Sequence, residues 1–291
     1  MKQVAVIGAG TMGNGVAHVF AQFGWSVTLI DVSEPALDQA RITIQANLAR
    51  QAKKGIISAD QPAEILGRIQ TATSLDAAAT ANFVVEAATE NPPVKFSLFE
   101  TLDRVCASEV ILASNTSSIS ITEIGARTRR PENVIGMHFM NPVPMMALVE
   151  VIRGHATSDA TTATVLAMAK ELGKTPVEVQ DYPGFVANRI LMPMINEAIY
   201  TVMEGVATPE SVDTVMKLGM AHPMGPLALA DFIGLDVCLS ILEVMHKGFG
   251  DSKYRACPLL RRMVAAGHLG RKSGRGFFRY SALGARHSAT D

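Results

Sequence analysis

An imidazole and a carboxylate stand in adjoining apolar runs of this chain. His138 lies within Val-Ile-Gly-Met-His-Phe, residues 134–139, and Glu150 within Ala-Leu-Val-Glu-Val-Ile, residues 147–152. Between them Met140-Asn-Pro-Val-Pro-Met145 carries two prolines, which stop both strands and make a turn. Brought face to face in apolar surroundings, the two groups form an oriented general base. A satisfied core histidine beside a strand-edge glutamate fits the same residue types, and these alone leave both readings open.

A second set of residues suits phosphate. The run Val-Ala-Val-Ile, residues 4–7, leads into Gly8-Ala-Gly-Thr-Met-Gly13, with Thr11 and Met12 between the last glycines. Val16, Ala17, Val19, Phe20 and Ala21 then mark a helix face. This is a buried strand, a tight turn and a helix start. Gly8 permits the turn, Gly10 lets the backbone approach a pyrophosphate, and Gly13 allows helix and strand to pack closely. The helix N-terminus offers N–H groups and partial positive charge. A second strand, 27–30, ends in Asp31, about 20 residues past the glycines, where a carboxylate can accept from ribose hydroxyls. That placement predicts a dinucleotide site and favours NAD over NADP, because a carboxylate repels a 2′-phosphate.

These residues require a wound sheet to position them. Strands are predicted over 69–73, 82–88, 110–113 and 175–180, alternating with helices over roughly 35–53, 95–106, 121–126 and 160–172. A weak helix covers 76–81, and 55–68 reads as polar connection. In such a sheet, ligands bind beyond the carboxyl ends of the strands. Glu90 and Lys95 follow one such end, where a solvated loop with a helix-start charge is the plain alternative. Ser114-Asn-Thr-Ser-Ser118 follows another, and these residues either cap the next helix or offer hydroxyls to a ligand. Lys53-Lys54-Gly55 closes the helix that carries Leu37, Ala40, Ile44 and Leu48. It serves equally as a C-terminal charge signal or as an anion contact.

The alternation ends at Asp181-Tyr-Pro-Gly184. The fold expected is therefore α/β. A Rossmann-type, doubly wound, mostly parallel sheet occupies 1–182, and a smaller all-helical domain occupies 183–291. Helical runs cover 185–203, 209–219, 226–246 and 258–266. Residues 270–280 are glycine-rich, basic and aromatic, and 281–291 read as a disordered tail. Met192, Met194, Met203, Met216, Met220 and Met224 give the second domain much apolar surface, which is expected to pair with a second copy in a homodimer; filling of the domain's own core and of its interface with the first domain is the plain alternative.

Composition removes several classes. The 291 residues carry a net charge of −1, so no global field selects nucleic acid or an anionic membrane. Three scattered cysteines, Cys106, Cys238 and Cys257, form no metal-type pair and read as reduced thiols. No apolar run approaches the ~18 residues of a membrane span. A cofactor strand beginning at residue 4 leaves no room for a leader, so a cytoplasmic protein is expected.

Taken together, several segments resemble one family, the short-chain L-3-hydroxyacyl-CoA dehydrogenases, and within it the bacterial 3-hydroxybutyryl-CoA type. They are Gly8-Ala-Gly-Thr-Met-Gly13, Val85-Glu-Ala-Ala-Thr-Glu-Asn91, Ser114-Asn-Thr-Ser-Ser118, His138-Phe-Met-Asn-Pro-Val-Pro144 and Leu148-Val-Glu-Val151. Pro183-Gly-Phe-Val-Ala-Asn-Arg189, Gly225-Pro-Leu227 and Gly274-Arg-Gly-Phe-Phe278 follow in family order. The resemblance implies that His138 takes the proton of the 3-hydroxyl as hydride leaves C3 for the nicotinamide, with Glu150 orienting the imidazole. It implies that Ser117 and Asn188 hold the substrate, in a cleft between the domains. Asp31, Glu90, Lys95, Asn141 and Lys272 would contact NAD, the last by the C-terminal segment reaching back. Lys54 and Asn47 would contact the CoA of an acyl-CoA substrate. Pro92 and Pro93 would stiffen the loop after Glu90, and Met140, Met145 and Met146 would bear on acyl length.

Other readings are weaker. Ser117, His138 and Glu150 suggest a hydrolase, but there is no Gly-x-Ser-x-Gly elbow. A non-catalytic NAD-binding or structural relative would not need an intact His138 and Glu150. A β-hydroxyacid dehydrogenase of the lysine-dependent kind would need a motif that the helical domain lacks. A 3-hydroxyadipyl-CoA substrate remains the alternative within the enzyme class.

Overall fold

The structure is a computed structural model and describes residues 2–281, so the expectation of a disordered tail falls, beyond Ser281, outside the described residues. Eight strands form one sheet: β1 (Gln3–Ile7), β2 (Ser26–Ile30), β3 (Ile69–Ala72), β4 (Phe83–Glu86), β5 (Ile111–Ser114), β6 (Val134–Phe139), β7 (Leu148–Arg153) and β8 (Thr175–Gln180). Their spatial order is β3-β2-β1-β4-β5-β6-β7-β8. Every pairing is parallel except β6 with β7. This is the doubly wound, mostly parallel sheet expected. Helices α1 (Thr11–Gln22), α2 (Glu34–Lys53), α3 (Gln61–Gly67), α4 (Pro92–Val105), α5 (Ile121–Gly125) and α6 (Asp159–Glu171) connect the strands. Strands covered on both faces read as unbroken apolar runs, and β1 and β4 do so. Val16 and Phe20 of α1, Leu37, Ile44 and Leu48 of α2, and Val165 of α6 share one core with Val6, Leu29, Phe83 and Val151.

Local chemistry sets the helix starts. The Ser33 hydroxyl accepts from the Ala36 amide to cap α2, whose first turn holds Pro35. Three expectations are corrected. Residues 61–67 of the supposed polar connection form α3, with Pro62 in its first turn and Ile65 buried. Pro92 and Pro93 do not stiffen a loop. They open α4, which the Asn91 side chain caps by accepting from the Val94 amide. The run 226–246 is two helices, because Gly234 at φ 107 breaks it.

The chain divides between Tyr182 and Pro183 into two compact units. The second is made of α7 (Ala187–Met203), α8 (Pro209–Gly219), α9 (Pro226–Ile233), α10 (Leu235–Phe249) and α11 (Pro258–Ala265). It has its own core, including Ile195, Ile199, Leu227, Leu242, Met245 and Leu260. The glycine-rich segment after α11 folds onto α9. The buried Asp231 carboxylate accepts from the Phe277 and Phe278 amides at 3.0 Å and from the Tyr280 hydroxyl at 2.9 Å. Gly276 is required there, since a Cβ would lie 1.9 Å from the Asp231 Oδ1.

All three cysteines are buried. Burial pushes the Cys238 thiol up to about 12 and also raises those of Cys106 and Cys257. A thiol titration with a disulfide reagent at pH 8 should find essentially no reactive cysteine in the native protein. After denaturation it should find all three.

Candidate active site

The glycine turn is built by close approaches. Gly8 has φ 101, and a Cβ there would meet the Ala87 carbonyl oxygen at 2.7 Å. At Gly13 a Cβ would lie 1.7 Å from the Gly8 oxygen, so α1 can pack on β1 only without it. Gly10 is different, for a Cβ there would meet no protein atom within 4 Å. The space is kept clear of protein, as a pyrophosphate approaching the backbone needs. Gly10 also precedes α1 with no side-chain cap, which leaves the first amides of the helix available to an anion. Beside it lies a cavity of about 580 Å³ whose walls include Gly8, Gly10, Thr11, Met12, Asp31 and Ala88. The Asp31 carboxylate accepts from the Ala9 amide at 2.7 Å and the Ser33 amide at 3.0 Å. It thus ties the glycine turn to the end of β2. These features fit a dinucleotide held by the turn, the helix terminus and Asp31.

Next along the same strand ends is a charged network. Lys95, on the first turns of α4, is 1% exposed. Its ammonium donates to both oxygens of Glu86 at 2.7 Å and stands 3.6 Å from the Glu90 carboxylate. Glu90 accepts from the Ser117 amide at 2.6 Å, the Ser117 hydroxyl at 2.8 Å and the Thr116 hydroxyl at 2.9 Å. Glu86 also accepts from the Ser114 hydroxyl at 2.6 Å and the Ala88 amide at 2.8 Å. Hence Ser114, Thr116 and Ser117 do not cap a helix. Ser120 caps α5 instead. Glu86 is the residue the sequence reading missed. It ends an apolar strand, and no spacing rule linked it to Lys95.

The third part lies on β6 and β7. Their antiparallel register sets His138 directly opposite Glu150. His138 Nδ1 and Glu150 Oε2 are 2.8 Å apart, and both residues are buried. The Asn115 side chain accepts from the Phe139 amide at 2.8 Å, which fastens the end of β6 to the serine-rich loop. A carboxylate at Nδ1 fixes the tautomer and stabilises an imidazolium.

Asn141 and the prolines after it border a cavity of about 440 Å³ that Thr11 and Asn47 also line. A neighbouring cavity of about 640 Å³ is lined by Asn47, Arg50, Lys54 and Lys174 among others. Asn47 accepts from Arg50 one turn along α2. The second unit holds the remaining two predicted residues. Asn188 is buried in the first turn of α7. The Lys272 ammonium pairs with Asp236 at 2.6 Å.

A mostly parallel sheet with an open glycine turn and Asp31 at one strand end, and a hydrogen-bonded histidine–glutamate pair on the same edge, fits the class of nicotinamide-dependent dehydrogenases. The comparisons agree and go further. Residues 3–182 match the model of the 3-hydroxyacyl-CoA dehydrogenase NAD binding domain, and 184–280 that of the 3-hydroxyacyl-CoA dehydrogenase C-terminal domain. The chain belongs to the 3-hydroxyacyl-CoA dehydrogenase family. It is 58% identical to a probable 3-hydroxybutyryl-CoA dehydrogenase of Bacillus subtilis, over 96% of this chain and 98% of that one. It is 54% identical to a 3-hydroxybutyryl-CoA dehydrogenase of Bradyrhizobium diazoefficiens, over 96% of each. The crystal structure of (S)-3-hydroxybutyryl-CoA dehydrogenase from Ralstonia eutropha matches with a TM-score of 0.93 at 51% identity, covering 97% of this chain and 99% of that one.

The Glu86–Lys95 pair carries a stability consequence. Glu86→Ala leaves the buried ammonium with only the longer, 3.6 Å pairing to the half-exposed Glu90, and urea unfolding should show a loss of about 3–5 kcal/mol. Glu86→Ala combined with Lys95→Met should recover most of it, because no buried charge is then stranded.

Proposed function

We propose that the protein catalyses the reversible NAD-dependent oxidation of short-chain (S)-3-hydroxyacyl-CoA, such as 3-hydroxybutyryl-CoA, to 3-oxoacyl-CoA. The observation that carries this reading is the buried 2.8 Å contact between His138 Nδ1 and Glu150. NAD, when bound, supplies the acceptor for the hydride of C3. His138 takes the proton of the 3-hydroxyl. Nδ1–H donates to Glu150, so the accepting nitrogen is Nε2. The imidazolium formed is stabilised by the adjacent carboxylate in a medium of low dielectric constant. In the reverse direction the same nitrogen returns the proton to the 3-oxygen.

Ser117 and Asn188 orient the 3-oxygen and acyl part of the substrate, an effect of positioning. The grip of Glu90 on the Ser117 amide and hydroxyl supports this role by fixing the serine. The glycine turn with Thr11 and Met12, together with Asp31, Glu90, Lys95, Ser117, Asn141 and Lys272, binds the cofactor. Lys54 and Asn47 bind the CoA portion, and their common place on the larger cavity supports the assignment. Residues 1–182 act as the cofactor and catalytic domain, and 183–291 as the domain for dimerisation and closure over substrate.

The protein works as a homodimer in the cytoplasm. Val215 and Leu218 of α8 and Met220 after it are 60%, 81% and 60% exposed, an apolar row suited to a second copy. Among the described residues no helix is long and apolar enough to cross a membrane.

NADH oxidation with acetoacetyl-CoA, 3-oxoadipyl-CoA and longer 3-oxoacyl-CoAs tests the reaction, and no turnover with any thioester would sink it. His138→Gln should lower kcat by ~10²–10⁴-fold, the usual worth of a general base, while NADH affinity stays near wild type. Near-normal turnover would show the base to be elsewhere. For assembly, light scattering at micromolar concentration should give twice the 31.0 kDa chain mass, and a monomer would remove the dimer.

A further inference from the structure

Lys174, one of the residues lining the 640 Å³ cavity, also holds the turn between β6 and β7. After α6 the chain turns at Gly173, φ 68, and Lys174 precedes β8. Strand β8 pairs in parallel with β7 from Leu148 opposite Thr175, and the Thr175 amide donates to the Ala147 carbonyl at 2.7 Å. That register brings the Lys174 side chain to the turn leading into β7. Its ammonium donates to the Val143 carbonyl at 2.6 Å and the Met146 carbonyl at 2.8 Å. Lys174 is half-buried, and this partial desolvation pulls its pKa below that of a free lysine.

The turn has a second anchor on its other side. Val143 is buried against α1 at Gly15, where a Cβ would come within 2.8 Å of the valine Cβ. Residues 142–146 are therefore held between a cation and a side-chain socket. They are also a shared wall. Pro142 and Pro144 line both the 440 Å³ and the 640 Å³ cavities, which have Asn47 in common as well. Met145, 78% exposed, lines the larger one beside Lys174 itself.

We propose that Lys174 is a positioning residue for the acyl-CoA substrate. By clamping residues 142–146 it sets the passage along the two cavities, and so thioester affinity and acyl-length preference. It does so without touching the reacting atoms. The proposal rests on the reading of the substrate as a CoA thioester.

The test is steady-state kinetics of Lys174→Met, which keeps an unbranched chain of similar length without the charge, and of Lys174→Arg, which keeps a cation. Substrates are acetoacetyl-CoA and 3-oxooctanoyl-CoA with NADH. Lys174→Met should raise the thioester KM about tenfold, the scale of one hydrogen bond to a charged group. Its kcat and its KM for NADH should stay within about twofold of wild type, the pattern of lost substrate binding. The kcat/KM ratio between the two acyl lengths should shift, and Lys174→Arg should restore both values towards wild type. A thioester KM within about twofold of wild type, or an equal loss for NADH, would overturn the proposal. If Lys174→Met does not fold, Val143→Ala decides, since it loosens the same turn from its other anchor. It must raise the thioester KM selectively, and an unchanged KM overturns the clamp. Wild-type protein that turns over no CoA thioester would strike the substrate reading, and that result appears before any variant is made.

Discussion

The chemistry of this protein depends on one reversal of direction. In a sheet otherwise parallel, β7 runs against β6. A parallel neighbour would need a long crossover, and its register would be set far away in sequence. The antiparallel pair is joined by a short proline-containing turn, so the register is local. It places His138 opposite Glu150 in both sequence and space. Side chains directly across an antiparallel pair are within reach of each other, and the 2.8 Å contact follows from that geometry with little else required. The turn that makes the reversal then lies at the carboxyl ends of the parallel strands, the edge at which such sheets bind ligands.

Burial of charge sets the second constraint. A lysine that is 1% exposed is tolerated only with a partner, and Glu86 provides both carboxylate oxygens. Ser114 and the Ala88 amide use further lone pairs of the same carboxylate. The result is a polar cluster with its bonds satisfied, and such clusters are rigid. Glu90 extends it to Ser117 at the surface of the site. The serine-rich loop is thus held from beneath by charge, and from the side by the Asn115 contact to the Phe139 amide.

What was legible in the sequence was what is local. The glycine turn is a contiguous string whose three glycines each answer a close approach or an open space, and it could be read in full. The hairpin carrying His138 and Glu150 was legible from the prolines between them, but the residue types left their pairing open and only the family resemblance favoured it. The helix over 61–67 was hidden by its composition, since Pro62 is a helix starter as well as a breaker. Gly234 was passed over because its flanks are apolar and helical in period, and only its φ of 107 shows the break.

Glu86 was illegible for a different reason, and it shows where such readings run out. Its neighbours, Phe83 to Val85, are those of a buried strand, and a glutamate at the end of such a run reads as the polar residue that closes it. Lys95 reads as a charge near a helix start. Neither residue carries a signal of the other, because the link is made by α4 folding back over the end of β4. Energetics supply what spacing does not. A lysine near the start of an amphipathic helix, with Phe99 and Leu102 on its buried face, needs a carboxylate nearby if it is to be buried too. A glutamate embedded in a core strand needs a cation or several donors. The two demands are complementary, and the fold meets both at once by setting the Lys95 ammonium on the Glu86 carboxylate. Burial expectations alone do not choose the partner, since Asp103, Asp213, Asp231 and Arg130 are buried as well; only the fold, by bringing Lys95 over the end of β4, decides that it is Glu86.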